Sequence, residues 1–140
     1  YVITNDQLQL IPVNKQEHKM KMPDKNITKA EEQVMNALWH AGDSFLKDIV
    51  EAMPQPHPHS NTVATLLKNL IDKGYVTTTV FGRNNMYKAM VGKEDYASES
   101  LGSVVSNYFN GSYQNAVSMM VDKNEISIND LELLLKQLKK

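Results

Sequence analysis

With 140 residues, 41% of them hydrophobic, the chain has apolar mass for one modest core with a helical appendage, and too much of it for a disordered chain. A formal net charge of -1 and a pI near 6.5 argue against a generic polyanion binder, so any nucleic-acid role must rest on local charge. The absence of Cys removes disulfides, thiolate metal sites and cysteine nucleophiles and fits a reducing compartment; no apolar run is long enough for a membrane span, so a cytoplasmic protein without membrane insertion is expected.

Residues 1–26 keep no steady period. "LQLIPV", Leu8 to Val13, is expected as a short edge strand, Met20 or Met22 as the natural start, and 1–26 as an appended or partly disordered extension outside the functional argument. The first helix is expected from Thr28, whose spacing to Glu31 makes a capping box. Ala30, Val34, Ala37, Leu38 and Ala41 then repeat at three and four residues, and Gly42 supplies a stop. "SFLKDIVEAM", Ser44 to Met53, is expected as the second helix, closed by Pro54 and Pro56.

In "PHPHS", Pro56 and Pro58 push the chain toward extended geometry, in which the His57 and His59 side chains diverge. The stretch therefore reads as a stiff connector rather than a metal site, with His59 or Ser60 capping the next helix. That helix, the third, is "SNTVATLLKNLIDKG", in which Val63, Leu66, Leu67, Leu70 and Ile71 follow the i, i+3, i+4, i+7, i+8 rule. "YVTTTVFGRNNMYKAMV" is β-branched and aromatic, and reads as a hairpin turning at Gly82-Arg83-Asn84-Asn85.

Beyond it, Leu101, Val104, Val105, Tyr108 and Phe109 share a helical face that Asn110-Gly111 ends, "YQNAVSMMV" is a short helix, and Ser127 with Asp130 caps a last helix aligning Leu131, Leu134, Leu135 and Leu138. These residues carry more apolar surface than a short appendage can hide, so a partner chain is expected to cover them, the other reading being that these helices fold back on the N-terminal domain.

The order of elements predicts a mainly α fold with a small β-hairpin wing: a winged helix-turn-helix over 27–92 and a C-terminal helical dimerisation domain over 93–140. The third helix would present Asn61, Thr62, Thr65, Lys68 and Asn69 to a major groove, where Asn suits adenine, Thr a thymine methyl or a hydroxyl contact, and Lys guanine or phosphate. Arg83 and Lys88 on the hairpin suit the flanking backbone. From Ser60 to Gly92, Lys68, Lys73, Arg83 and Lys88 are opposed only by Asp72, whereas the tail is acidic. The other reading of the same face is a winged helix that binds protein instead of DNA.

"ITKAEEQVMNALWHAGDSFLKDIVEAM", "NTVATLLKNLIDKGYV" and "FGRNNMYKAMVGKEDYASESL" together resemble the penicillinase-repressor and methicillin-resistance-repressor family of bacterial winged-helix regulators, which includes copper-responsive repressors. The marks are Leu38-Trp39 ending the first helix, a Thr-Val-x-Thr-Leu-Leu third helix, the Lys73-Gly74-Tyr75 exit and a wing ending in Tyr87, over about Ile27 to Lys140. The resemblance implies a homodimeric transcriptional repressor on a palindromic double-stranded DNA operator, controlling β-lactam-type resistance or related stress genes. The contact helix then falls on Ser60, Asn61, Thr62, Ala64, Thr65, Lys68 and Asn69. Family members often carry basic residues where this chain has Asn61, Ala64 and Asn69, which implies fewer phosphate contacts.

Induction in the β-lactam branch runs through a membrane sensor protease and a cut at an Asn-Phe pair; Met119-Met120 stand at that place here, a departure in the cleavage region. The cysteine-rich metal motif of the copper branch has no counterpart in a chain without Cys. No catalytic triad or glycine-rich phosphate loop can be assembled, so no enzyme, cofactor or metal is expected.

Overall fold

The computed structural model describes residues 22, 23 and 25–139. The edge strand expected at Leu8 to Val13, the start at Met20 and most of the expected extension lie outside the described residues. The chain divides into two compact units, one running to Tyr96 and one from Ala97.

In the first unit, helix α1 (Lys29–Ala41) starts at Thr28 with both bonds of the capping box: the Glu31 amide donates to Thr28 Oγ1 at 3.1 Å and the Thr28 amide to Glu31 Oε1 at 2.8 Å. It stops at Gly42, whose φ of 81° lies where glycine carries no Cβ penalty. Strand β1 (Ser44–Phe45) and helix α2 (Leu46–Ala52) come next, then helix α3 (Ser60–Asp72) and the strands β2 (Val76–Phe81) and β3 (Asn84–Ala89).

Two local expectations are corrected. Ser44 and Phe45 are not the first turn of the second helix: they pair with the wing, Ser44 opposite Tyr87 and Phe45 opposite Met86, in an antiparallel sheet ordered β1-β3-β2. Pairing with β3 satisfies backbone groups that a helix start would leave orphaned. The hairpin turn is also tighter than expected. Asn84 and Asn85 belong to β3, opposite Phe81 and Val80, and the loop is Gly82-Arg83 alone, with Gly82 at φ 61° as two-residue hairpin loops favour.

The core of this unit is a junction of three helices and the sheet. Val34, Met35 and Leu38 of α1, Ile49 of α2 and Val63, Leu67 and Leu70 of α3 are buried together with Met53, Tyr75, Val76 and Val91. The buried line of α3 runs through Val63, Leu67 and Leu70, while Leu66 and Ile71 are half-buried on its flanks. Trp39 closes the base: its indole N–H donates to the Val91 carbonyl at 2.8 Å, and its ring lies 5.6 Å from that of Tyr96.

The second unit holds most of helix α4 (Lys93–Tyr108), helix α5 (Tyr113–Asp122) and helix α6 (Ile128–Leu138). Asn110 and Gly111, both at positive φ, turn the chain between α4 and α5, and Ser127 with Asp130 forms the second capping box. A Cβ on Gly102 would stand 3.3 Å from Tyr113 Oη, so glycine lets α4 and α5 approach there. Neither α5 nor α6 has a buried residue. No helix among the described residues is long and apolar enough to cross a membrane.

Candidate nucleic-acid interface

Helix α3 is held by its apolar line and bares the opposite side. Ser60, Asn61, Thr62, Thr65 and Lys68 are exposed, whereas Ala64 and Asn69 are half-buried at the edge of that face. His59 caps the helix, its Nδ1 accepting the Asn61 amide at 3.0 Å, which settles the choice between His59 and Ser60. The Thr65 hydroxyl donates to the Asn61 carbonyl at 3.0 Å, so what Thr65 offers outward is a methyl group and an acceptor oxygen.

Of the four cations counted along this stretch, one is withdrawn. Lys73 Nζ lies 2.7 Å from Glu31 Oε1 and donates to the Asn26 carbonyl at 3.1 Å, so it fastens the exit of α3 instead of adding to a basic face. Burial by itself would raise the Glu31 carboxyl; hydrogen bonding and charge from Lys73, with the Thr28 amide and hydroxyl, outweigh it and hold the carboxyl below its ordinary value. Nearby, the Tyr75 hydroxyl donates to the Lys25 carbonyl at 2.9 Å.

The wing cations separate as well. Arg83 stands exposed in the hairpin loop. Lys88 is exposed opposite Thr77, and strand alternation sets it on the sheet face of Met86 and Phe45, not on the face of Tyr87.

The Tyr87 face borders a cleft of about 780 Å³ between the wing, α2 and the start of α3. Leu46, Val50 and Tyr87 supply its apolar lining, and Ser60 and Arg83 reach it from α3 and the wing. Lys47, Asp48 and Glu51 also line it, and none of the three was singled out as a contact from sequence. They arrive because β1 ties the start of α2 to β3, a pairing of two residues too short to leave a periodic signal. Among the described residues no cluster of three or more His, Cys, Asp or Glu could hold a metal ion.

Three helices closed by a hairpin, with the third helix buried on one side and polar on the other, define a winged-helix protein. The penicillinase repressor family model matches residues 27–140, and the chain belongs to that family of transcriptional repressors. Among its relatives, the methicillin resistance regulatory protein MecI of Mammaliicoccus sciuri is 24% identical over 109 residues, covering 77% of this chain and 89% of that protein. The penicillinase repressor of Bacillus licheniformis is 25% identical over 115 residues, 79% of this chain and 90% of that one. A solved structure of monomeric Bacillus licheniformis BlaI in complex with the blaP half-operator aligns at 23% identity and a TM-score of 0.46, covering 54% of this chain and 94% of that chain.

Proposed function

We propose that this chain represses transcription in the cytoplasm as a homodimer, each winged helix occupying one half of a palindromic double-stranded DNA operator and denying the promoter to polymerase. The observation that carries it is α3: Asn61, Thr62, Thr65 and Lys68 stand exposed on a helix whose other side is anchored in the core, in a chain of a repressor family. Residues 27–92 are the DNA-binding domain, 93–140 the dimerisation domain and 1–26 an extension. Ser60, Ala64 and Asn69 complete the contact helix, with Arg83 and Lys88 on the wing for backbone.

The dimer rests on the apolar side chains that a single chain leaves in water. Leu101, Val104, Leu134 and Leu135 are exposed, Tyr108 and Leu138 by 78% and 74%. Leu131 and Phe109 are half-buried, and Val105, at 1% exposure, is already covered within the chain, so it supports the face from beneath.

The controlled genes are β-lactam-type resistance or related stress genes, and induction runs through a membrane sensor protease that cuts near Met119-Met120. Met119 is exposed and Met120 half-buried in α5, and a cut there separates α6 from the rest and weakens the two-site avidity of the dimer.

Footprinting of the purified chain on DNA upstream of its own gene tests the reading: protection of two half-sites about one helical turn or a multiple of it apart is expected. An unprotected promoter contradicts repression by operator occupancy. Co-expression with the cognate sensor tests induction, and a full-length, uncut chain after inducer removes the proteolytic step.

A further inference from the structure

We propose that Lys47, together with Arg83, forms a two-walled clamp on the phosphate backbone flanking the groove that α3 reads, an inference that rests on the DNA-binding reading of α3. The two cations line one cleft from opposite elements, Lys47 from α2 and Arg83 from the wing loop, and Ser60 at the start of α3 lines the same cleft. Their placement is imposed by the sheet: Phe45 pairs with Met86, so the chain enters α2 beside the strand that rises from the Arg83 loop.

Both cations are exposed, and among the described residues neither is held by a carboxylate within 4.0 Å. Leu46, Val50 and Tyr87 give the cleft an apolar lining, which focuses the field of charges at its rim. A helix-turn-helix that sets the start of its third helix on base edges brings its second helix against the adjoining backbone, and here that contact carries a lysine. Asp48 and Glu51 share the cleft and oppose a phosphate, so they hold the clamp below its full strength.

The test is binding of full-length protein to a duplex from upstream of its own gene and to an unrelated duplex, across a salt series. Lys47→Gln is expected to weaken both complexes about five- to tenfold near 0.15 M salt and to lower the salt slope by about 1. Lys47→Gln with Arg83→Gln is expected to lower the slope by about 2, and Glu51→Gln to tighten both complexes. Thermal melting of each variant checks that it is folded. Wild-type affinity and slope in Lys47→Gln, on DNA that the wild type binds, overturn the clamp and leave the reading of α3 standing. A wild-type protein that binds neither duplex overturns both.

Discussion

Lys73 Nζ and Glu31 Oε1 meet at 2.7 Å, joining the exit of α3 to the first turn of α1, with the carboxylate almost wholly buried and the ammonium partly so. The ion pair ties the helix that would face DNA to the helix that supports it. Because Lys73 also holds the Asn26 carbonyl and Tyr75 the Lys25 carbonyl, the segment before α1 is pinned to the same corner. Lys73→Met leaves the Glu31 carboxylate with its Thr28 partners alone and is expected to cost about 2 kcal/mol in denaturant unfolding, discounted for the partial exposure of the ammonium.

The same pair sets an acid limit. The folded-state carboxyl of Glu31 is depressed, so across the window below its ordinary value of 4.5 the folded chain binds fewer protons than the unfolded one. Its contribution is therefore complete above that value and is lost as pH falls through the folded-state value. Glu31→Gln is expected to flatten the fall of unfolding free energy with pH in this acid window, measured by urea titration at successive pH values.

His59 permits cap and charge to be separated. His59→Ala removes the side-chain acceptor of the Asn61 amide and is expected to cost about 0.5 to 1 kcal/mol of stability. His59→Asp restores an acceptor and complements the helix dipole, yet places a negative charge beside the side of α3 proposed to face DNA. It is expected to melt no lower than the wild type while binding DNA more weakly. Thermal melts and anisotropy on the same samples check both outcomes.

The C-terminal unit makes a hydrodynamic prediction. Leu134→Asp with Leu138→Asp puts charge on two leucines of α6 that a single chain leaves exposed. The proposed homodimer predicts that sedimentation reports dimers for the wild type and monomers for the variant, with operator affinity reduced by the loss of two-site binding. Trp39, the chain's single tryptophan, sits at the base of the winged-helix unit, and its emission is expected to stay at the wild-type wavelength. A shifted emission would show that the substitutions had disturbed that unit.

Much of the fold was legible in sequence because its signals are local. The Thr28–Glu31 and Ser127–Asp130 spacings, the apolar period of Ser60–Asp72 and the β-branched run from Val76 each act within a few residues, and each forms as expected. Pairing across distance left no such trace. Ser44 and Phe45 carry too short a segment to alternate, and only their meeting with Tyr87 and Met86 makes them a strand and brings Lys47 to the wing cleft. Charge counting misled for a related reason. Lys73 reads as one more cation near the contact helix, and its commitment to Glu31, 42 residues earlier, exists only once the chain is folded.

The central claim is that the exposed side of α3 reads base sequence, and Thr62→Ala with Thr65→Ala tests it most directly. The quantity to measure is the ratio of affinities for the upstream operator and for an unrelated duplex, at one salt concentration. Lost thymine or hydroxyl contacts are expected to lower that ratio about ten- to a hundredfold, at roughly 1 to 3 kcal/mol for each base contact, while the salt slope stays at the wild-type value. A double variant that still prefers its operator as strongly as the wild type would contradict the assignment of this face.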